Sequence, residues 1–234
     1  MHFDPPLEEV VFLQRYKRFL TDVSRPSGEI ITIHCPNSGS MRNCQPVNGR
    51  AWMSDSKNPK RKLRHTLEMV EVDGALCGIN THRANALAEE AIRRGRINSL
   101  TGYQSIRREV RYGLEKSRID LLLSTGDTHC YVEVKNVTMG SHDGIARFPD
   151  AVTTRGRKHL RELCEMVKMG HRAVLLFCGS RSDTRVIKPA DDIDPQYGTA
   201  LRAAQIQGVE IMAYGCRMSP KYWVMEHPLQ VDLS

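Results

Sequence analysis

The chain has 234 residues and a mass of 26.5 kDa, enough for one large domain or two small ones around a buried core. Its 40% hydrophobic and 26% charged composition and mean hydropathy of −0.43 are those of a soluble globular protein, and no apolar run approaches the roughly 18 residues that span a bilayer. Thirty-four Lys and Arg against 27 Asp and Glu leave a net charge of +7, a balance that suits a polyanionic partner without proving one. Met1 to Pro6 has no basic segment followed by an apolar one, so no signal peptide is expected. The seven cysteines are scattered, odd in number and never spaced C-x-x-C, which argues against a disulfide scaffold or a zinc knuckle and for free thiols in the reducing cytoplasm.

Up to about residue 80 the chain reads as β structure. Ile30, Ile31 and Ile33 form a strand-like run that ends at the turn cluster Pro36-Asn37-Ser38-Gly39. Ala51-Trp52-Met53 is a short strand, and Thr66–Val72 with Ala75–Ile79 is a hairpin across Asp73-Gly74, a pair that tolerates the positive φ angles of a two-residue turn. Several short strands in so few residues suggest a small barrel. From Thr81 to Arg94, Ala84, Leu87, Ala88, Ala91 and Ile92 recur at helical spacing until Gly95, and the domain boundary is placed here. Strands follow at Ser105–Tyr112, Ile119–Leu123 and His129–Val137. A helix at Arg157–Met169, a buried strand at Ala173–Cys178, a helix over 195–207 and a strand at Val209–Tyr214 complete the order. Helices entering after a strand meander argue for a mixed sheet covered by helices.

The strand 129–137 carries the most informative residues. Glu133 and Lys135, one residue apart, leave the same face of a strand whose other face holds Val132 and Val134. Asp120 interrupts the apolar run before it, where an unpaired carboxylate is costly, and pairing through the 124–127 turn can bring it beside Glu133. Two converging carboxylates are hard-oxygen ligands for Mg²⁺ or Mn²⁺, and a lysine beside them can position or deprotonate water near a phosphate. The same three residues also satisfy a purely structural ion-pair network, and spacing alone does not choose between the two. Glu109 can add a further acidic ligand or pair with Arg107 or Arg111 on a solvated face; His142 and Asp143 lie in a Gly-rich loop and receive no role.

Asp120 followed by Glu133-Val134-Lys135, in this element order, resembles the PD-(D/E)xK nuclease superfamily, although Ile119 stands where the leading proline of that motif would be. The whole chain more closely resembles the sugar fermentation stimulation protein A family. The matching stretches are Gln14–Leu20, His34–Gly39, Arg118–Asp120, Tyr131–Lys135, Phe148–Ala151 and Arg155-Gly156 with Lys158–Leu163. The resemblance implies an α+β protein: an N-terminal OB-like barrel that binds nucleic acid, over residues 1–80, and a PD-(D/E)xK nuclease-like domain with a mixed sheet, over residues 81–234. It also implies DNA binding, more than RNA binding, and a role in regulating maltose and sugar metabolism genes. Its catalytic pattern falls on Asp120, Glu133 and Lys135, with Asp120 and Glu133 as the metal ligands.

Around that pattern, Arg15, Lys17 and Arg18 surround Tyr16 and Phe19, an arrangement that can follow a nucleic-acid backbone while rings stack on bases, though the aromatics also suit a core. Lys60 and Arg61 lie in a basic loop beside the barrel. Asn37 and Ser38 can contact phosphate or merely shape their turn. Arg155 and Lys158, near Asp150 and His159, stand at the start of the helix after the motif strand, a natural phosphate position. A helix-turn-helix ascribed to the family would fall on about Leu201–Pro220, where Val209–Tyr214 instead reads as a strand.

Overall fold

The computed structural model describes residues 1–234. Alternation of apolar and polar residues builds the first half from β1 (Glu8–Tyr16), β2 (Leu20–Ser24), β3 (Ile30–His34), β4 (Arg50–Asp55), β5 (His65–Val72) and β6 (Ala75–Gly78). The order β3-β2-β1-β4-β5 closes on itself where β3 meets β5 at His34 and Thr66, which makes a five-stranded barrel, and β6 extends β5 as a hairpin. Val10, Phe12, Val23, Ile33, Ala51, Met53, Leu67 and Val70 fill its interior. The β5–β6 turn has the positive φ at Asp73 (52°) and Gly74 (75°) that an Asp-Gly hairpin requires.

The second half begins with α1 (Ala84–Arg93), which buries Ala84, Leu87, Ala88, Ala91 and Ile92, the face expected from its periodicity. Then come β7 (Ser105–Tyr112), β8 (Ser117–Thr125), β9 (Thr128–Val137), β10 (Ile145–Phe148), α2 (Thr154–Lys168), β11 (Arg172–Gly179), β12 (Val186–Pro189), α3 (Pro195–Ile206), β13 (Glu210–Met218), β14 (Trp223–Pro228) and β15 (Gln230–Val231). Six strands in the order β14-β13-β11-β9-β8-β7 form one sheet, parallel from β9 through β11 to β13 and antiparallel at both ends. α1 and the barrel wall pack against one face, α2 and α3 against the other. The expected mixed sheet covered by helices is therefore present. α2 starts at Thr154 because Thr153 caps it, its hydroxyl accepting from Gly156 N at 2.9 Å. α3 is followed by the strand β13 and no second helix, so the stretch 201–220 is not a helix-turn-helix. The short ladder β10-β12-β15 has no precursor in the sequence reading, since its strands are brief and far apart along the chain.

Barrel and sheet are joined by a shared core and by buried polar links. Leu7, Trp52 and Met69 from the barrel side pack with α1 and with sheet residues such as Val132, Val134 and Trp223. Gly78 is required by this approach, because a Cβ there would lie 1.9 Å from the Trp223 ring. Glu68 on β5 is fully buried, yet its carboxylate accepts from Ser54 Oγ (2.6 Å), Asn80 Nδ2 (2.9 Å) and both sides of the Arg83 guanidinium (2.7 and 3.1 Å). It thereby ties the barrel to the segment that leads into α1. Glu68→Ala should lower stability by about 2 kcal/mol, since the bonds from Ser54, Asn80 and Arg83 lose their acceptor, although the groove beside them lets water replace part of it. Urea unfolding followed by circular dichroism measures this, and a loss below about 1 kcal/mol would show the link to be dispensable.

Candidate active site

The β8–β9 ladder runs from Thr125 and Thr128 to Leu121 and Val132 and stops there. Continued by one step, it would set Asp120 directly opposite Glu133. Instead the strands part, and the Val134 amide, which would serve the ladder, donates to Asp120 Oδ2 at 2.7 Å. The other carboxylate oxygen, Oδ1, accepts from Asn85 Nδ2 on α1 at 2.8 Å. Burial, and after it the charge of Glu133, push the Asp120 carboxyl up to about 6.

Glu133 is held from α2 instead. Its Oε1 accepts from Lys135 Nζ at 2.5 Å and is hydrogen-bonded to His159 Nδ1. Arg155 Nε donates to His159 Nε2 at 3.3 Å, and Lys135 Nζ lies 3.3 Å from His159 Nδ1. Burial opposes the charge on Glu133, but Lys135 and His159 outweigh it and hold the carboxyl below its ordinary range. Its second oxygen, Oε2, is buried and has no partner. The hydroxyls of Tyr112 and Tyr197, likewise buried and unpartnered, have their ionisation suppressed by burial and by the Glu133 charge.

Lys135 opens onto a cleft of about 680 Å³ between the sheet and the barrel. Asn85, Asn136, Thr138, Arg147, Thr153 and Arg155 line one side, and Arg18, Asn37, Ser38 and Gly39 the other. The barrel side is held by two devices. Arg15 donates to the carbonyls of Arg18, Asn37, Gly39 and Ser40 at 2.8 to 3.1 Å. Asp150 accepts from Ser40 Oγ and Met41 N, both at 3.2 Å, and lies so close to Gly39 that a Cβ there would stand 2.3 Å from its carboxylate.

The structure thus joins Glu133 to Lys135 and ties Asp120 to the amide of Val134 between them; of the three only Lys135 lines the cleft, on whose rim Arg18, Ser38 and Arg155 also lie. Lys17, Lys60 and Arg61 are exposed on the barrel. Arg15 and Asn37, expected to meet nucleic acid, are engaged within the protein: Arg15 by the four carbonyls, Asn37 by Gly39 N and Ile79 O. Lys158 bonds the Glu115 carbonyl and lies outside the cleft. Glu109 is exposed, with its backbone in the left-handed region (φ 52°), and belongs to no cluster of metal-binding side chains. Two residues gain importance. His159 locks Glu133, and its only sequence signal was its place in the matched stretch of α2. Asn85 locks Asp120, and its signal was a polar side chain beside the apolar stripe of α1.

An OB barrel joined through a shared core to a mixed-sheet α/β domain, with acidic and basic side chains gathered where two strands part, defines the class. Residues 13–79 match the family profile described as the SfsA N-terminal OB domain, and residues 82–222 match that of the sugar fermentation stimulation protein RE domain. The chain belongs to the sugar fermentation stimulation protein family. It is 54% identical over 234 residues to a sugar fermentation stimulation protein homolog of Thioalkalivibrio sulfidiphilus, covering 100% of this chain and 99% of that one. The homolog of Teredinibacter turnerae is 57% identical over 91% of each chain. The solved structure of Pyrococcus furiosus SfsA, a complex with Ca²⁺, superposes with a TM-score of 0.88 at 27% identity, over 99% of this chain and 98% of that one.

A carboxyl whose pKa is raised by folding favours the folded state while protonated, and that contribution is lost as pH rises through about 6. In cation-free protein, Asp120→Asn should therefore unfold several degrees above the parent at pH 8 and close to it at pH 4. Thermal unfolding in a chelator at the two pH values checks this; a variant that melts below the parent at pH 8 contradicts it.

Proposed function

We propose that the protein is a metal-dependent nuclease of the PD-(D/E)xK type that hydrolyses phosphodiester bonds in DNA, with Asp120 and Glu133 as metal ligands and Lys135 as the third catalytic residue. The observation that carries this reading is the buried Glu133 oxygen left without a partner beside a second, separately anchored carboxylate. In a purely structural ion-pair network that oxygen would stay unpaired at a cost of about 1–3 kcal/mol, whereas a bound cation would give it a partner. Two carboxylates suit Mg²⁺ or Mn²⁺, which are commonly bound through one or two carboxylates with water completing the shell, so the lack of a third converging ligand is no obstacle. The Ca²⁺ complex of the Pyrococcus relative points to the same hard-oxygen chemistry. A bound cation would polarise a phosphodiester oxygen and activate water.

The chain's own residues perform the rest. Asn85 and the Val134 amide keep Asp120 in place, and His159, braced by Arg155, does the same for Glu133. Lys135 is 14% exposed, and its ammonium presents a positive charge at the cleft, where phosphoryl oxygens gather charge in the transition state. Arg18 and Arg155 on the rim, with Lys17, Lys60 and Arg61 on the barrel, supply the charge that draws in a polyanion. A cytoplasmic setting accords with seven cysteines that are all free thiols. The second reading is a non-cutting DNA-binding regulator of sugar (maltose) metabolism genes; the name of the relatives, sugar fermentation stimulation protein homolog, supports the link to sugar use alone.

Asp120→Ala and Glu133→Ala should each abolish cleavage of labelled DNA in Mg²⁺ or Mn²⁺. Lys135→Ala should lower the rate about a hundredfold while DNA affinity stays within a few-fold. Cleavage and binding measured together decide the matter. A parent protein that binds DNA but cuts no polynucleotide with either cation leaves the regulator. Reversing charge at Lys17, Arg18, Lys60 and Arg61 should weaken DNA binding and flatten its dependence on salt; an unchanged salt slope would move the binding surface to the second domain.

A further inference from the structure

The turn between β1 and β2 is built to hold a phenylalanine outward. Lys17 and Arg18 are both left-handed (φ 46° and 65°), a conformation that non-glycine residues adopt reluctantly. It is fixed from within by the Arg15 bond to the Arg18 carbonyl at 2.9 Å and from the side by Cys35 N, which donates to the Phe19 carbonyl at 2.9 Å. The result leaves Phe19 43% exposed; Val11, Ile30 and Val47 are the other exposed large apolar side chains of this half, and Phe19 is the aromatic one among them. His34 lies beside it, ring centroids 6.4 Å apart with planes 32° from parallel, and the Arg18 guanidinium stands 6.0 Å from the Phe19 centroid.

The position of this pair matters as much as its exposure. Arg18 lines the cleft that Lys135 enters. His34 lines a second groove, of about 820 Å³, which runs along the barrel and also holds Arg61 and His82. Between the two lies a narrow ridge where Thr81 Oγ1 donates to the Pro36 carbonyl at 2.9 Å. Phe19 touches a residue of each groove and so flanks the crossing from one to the other.

We propose that the substrate is a single polynucleotide strand, which follows the barrel groove, stacks an unpaired base on the Phe19–His34 pair and passes its backbone over the ridge to Lys135. This rests on the nuclease reading and names its substrate class. In a duplex the base faces are covered by their neighbours and offer an exposed ring nothing to stack on, whereas each base of a single strand has a free face. Arg61 and His82 in the groove and Arg18 in the cleft offer cations or donors for its phosphates; of the four carboxylates that also line the groove, Glu8, Asp55 and Glu68 are paired with Arg25, Arg64 and Arg83, which leaves Asp4 alone without a cationic partner.

The test uses the full chain in chelator, so that cleavage plays no part, with fluorescent oligo(dT), oligo(U) and a DNA hairpin duplex of equal charge as probes. The parent should bind a single strand at least tenfold more tightly than the hairpin. Phe19→Ala should lose about tenfold on the single strand and almost nothing on the hairpin, and Phe19→Trp should retain tight binding. Stacking does not read the sugar, so tight binding of either oligo(dT) or oligo(U) supports the proposal, and the tighter one identifies the strand. Equal or stronger binding of the hairpin, or a Phe19→Ala loss that is the same on both forms, overturns it. These outcomes are separate from the nuclease reading, which fails only if the parent cuts no polynucleotide in Mg²⁺ or Mn²⁺.

Discussion

Glu133 holds a negative charge inside a sheet whose neighbouring strand positions are valines and leucines, and the architecture around it answers that constraint. A carboxylate at such depth needs compensating cations and donors. Lys135 supplies one from the same strand and His159 another from α2, which requires α2 to lie across β9. α2 in turn is set by its cap at Thr153 and by Asp194 at the start of α3, which accepts from Thr153 N, Arg157 and Tyr197 N. The seat of α2 across β9 thus serves both the apolar core on that face and the compensation of one buried carboxylate.

At Asp120 the same principle works through a gap in the ladder. Where β8 and β9 part, the Val134 amide loses a main-chain acceptor, and the side chain of Asp120 replaces it. One buried donor and one buried acceptor satisfy each other, and the carboxylate is fixed in the opening between the strands. Asn85 completes the anchor from α1. The two acidic groups are therefore held by different helices, and their different environments push their ionisation in opposite directions. Paired carboxyls tuned apart in this way are a common feature of catalytic sites.

The barrel is more than an appendage to this arrangement. Glu68 fastens it to α1, Asp150 fastens its loop 39–41 to the segment before α2, and the shared apolar core does the rest. Arg15, a cation that looks from its neighbours like a nucleic-acid contact, binds four carbonyls and gives the loop its shape. Cations that shape the surface and cations that face solvent are separated only by folding.

Much of this was legible in the residues themselves. The Asp73-Gly74 hairpin, the apolar stripe of α1, the alternating strands β7 and β9 and the Asp120, Glu133, Lys135 pattern all depend on neighbours within a few positions, or on a turn that fixes register, and such local signals survive without the fold. The strand at 210–218 was likewise readable where a helix-turn-helix had been ascribed. What distant segments do to one another was not. The β10–β12 ladder, the partners of Arg15, the roles of His159 and Asn85 and the outward Phe19 all join residues separated by long stretches of chain. Sequence by itself determined which residue types are available and which elements they form, because propensity and periodicity are local. Only the tertiary structure decided which charges are buried, which are answered and which remain open at the cleft, because desolvation and hydrogen bonding depend on what the rest of the chain brings alongside.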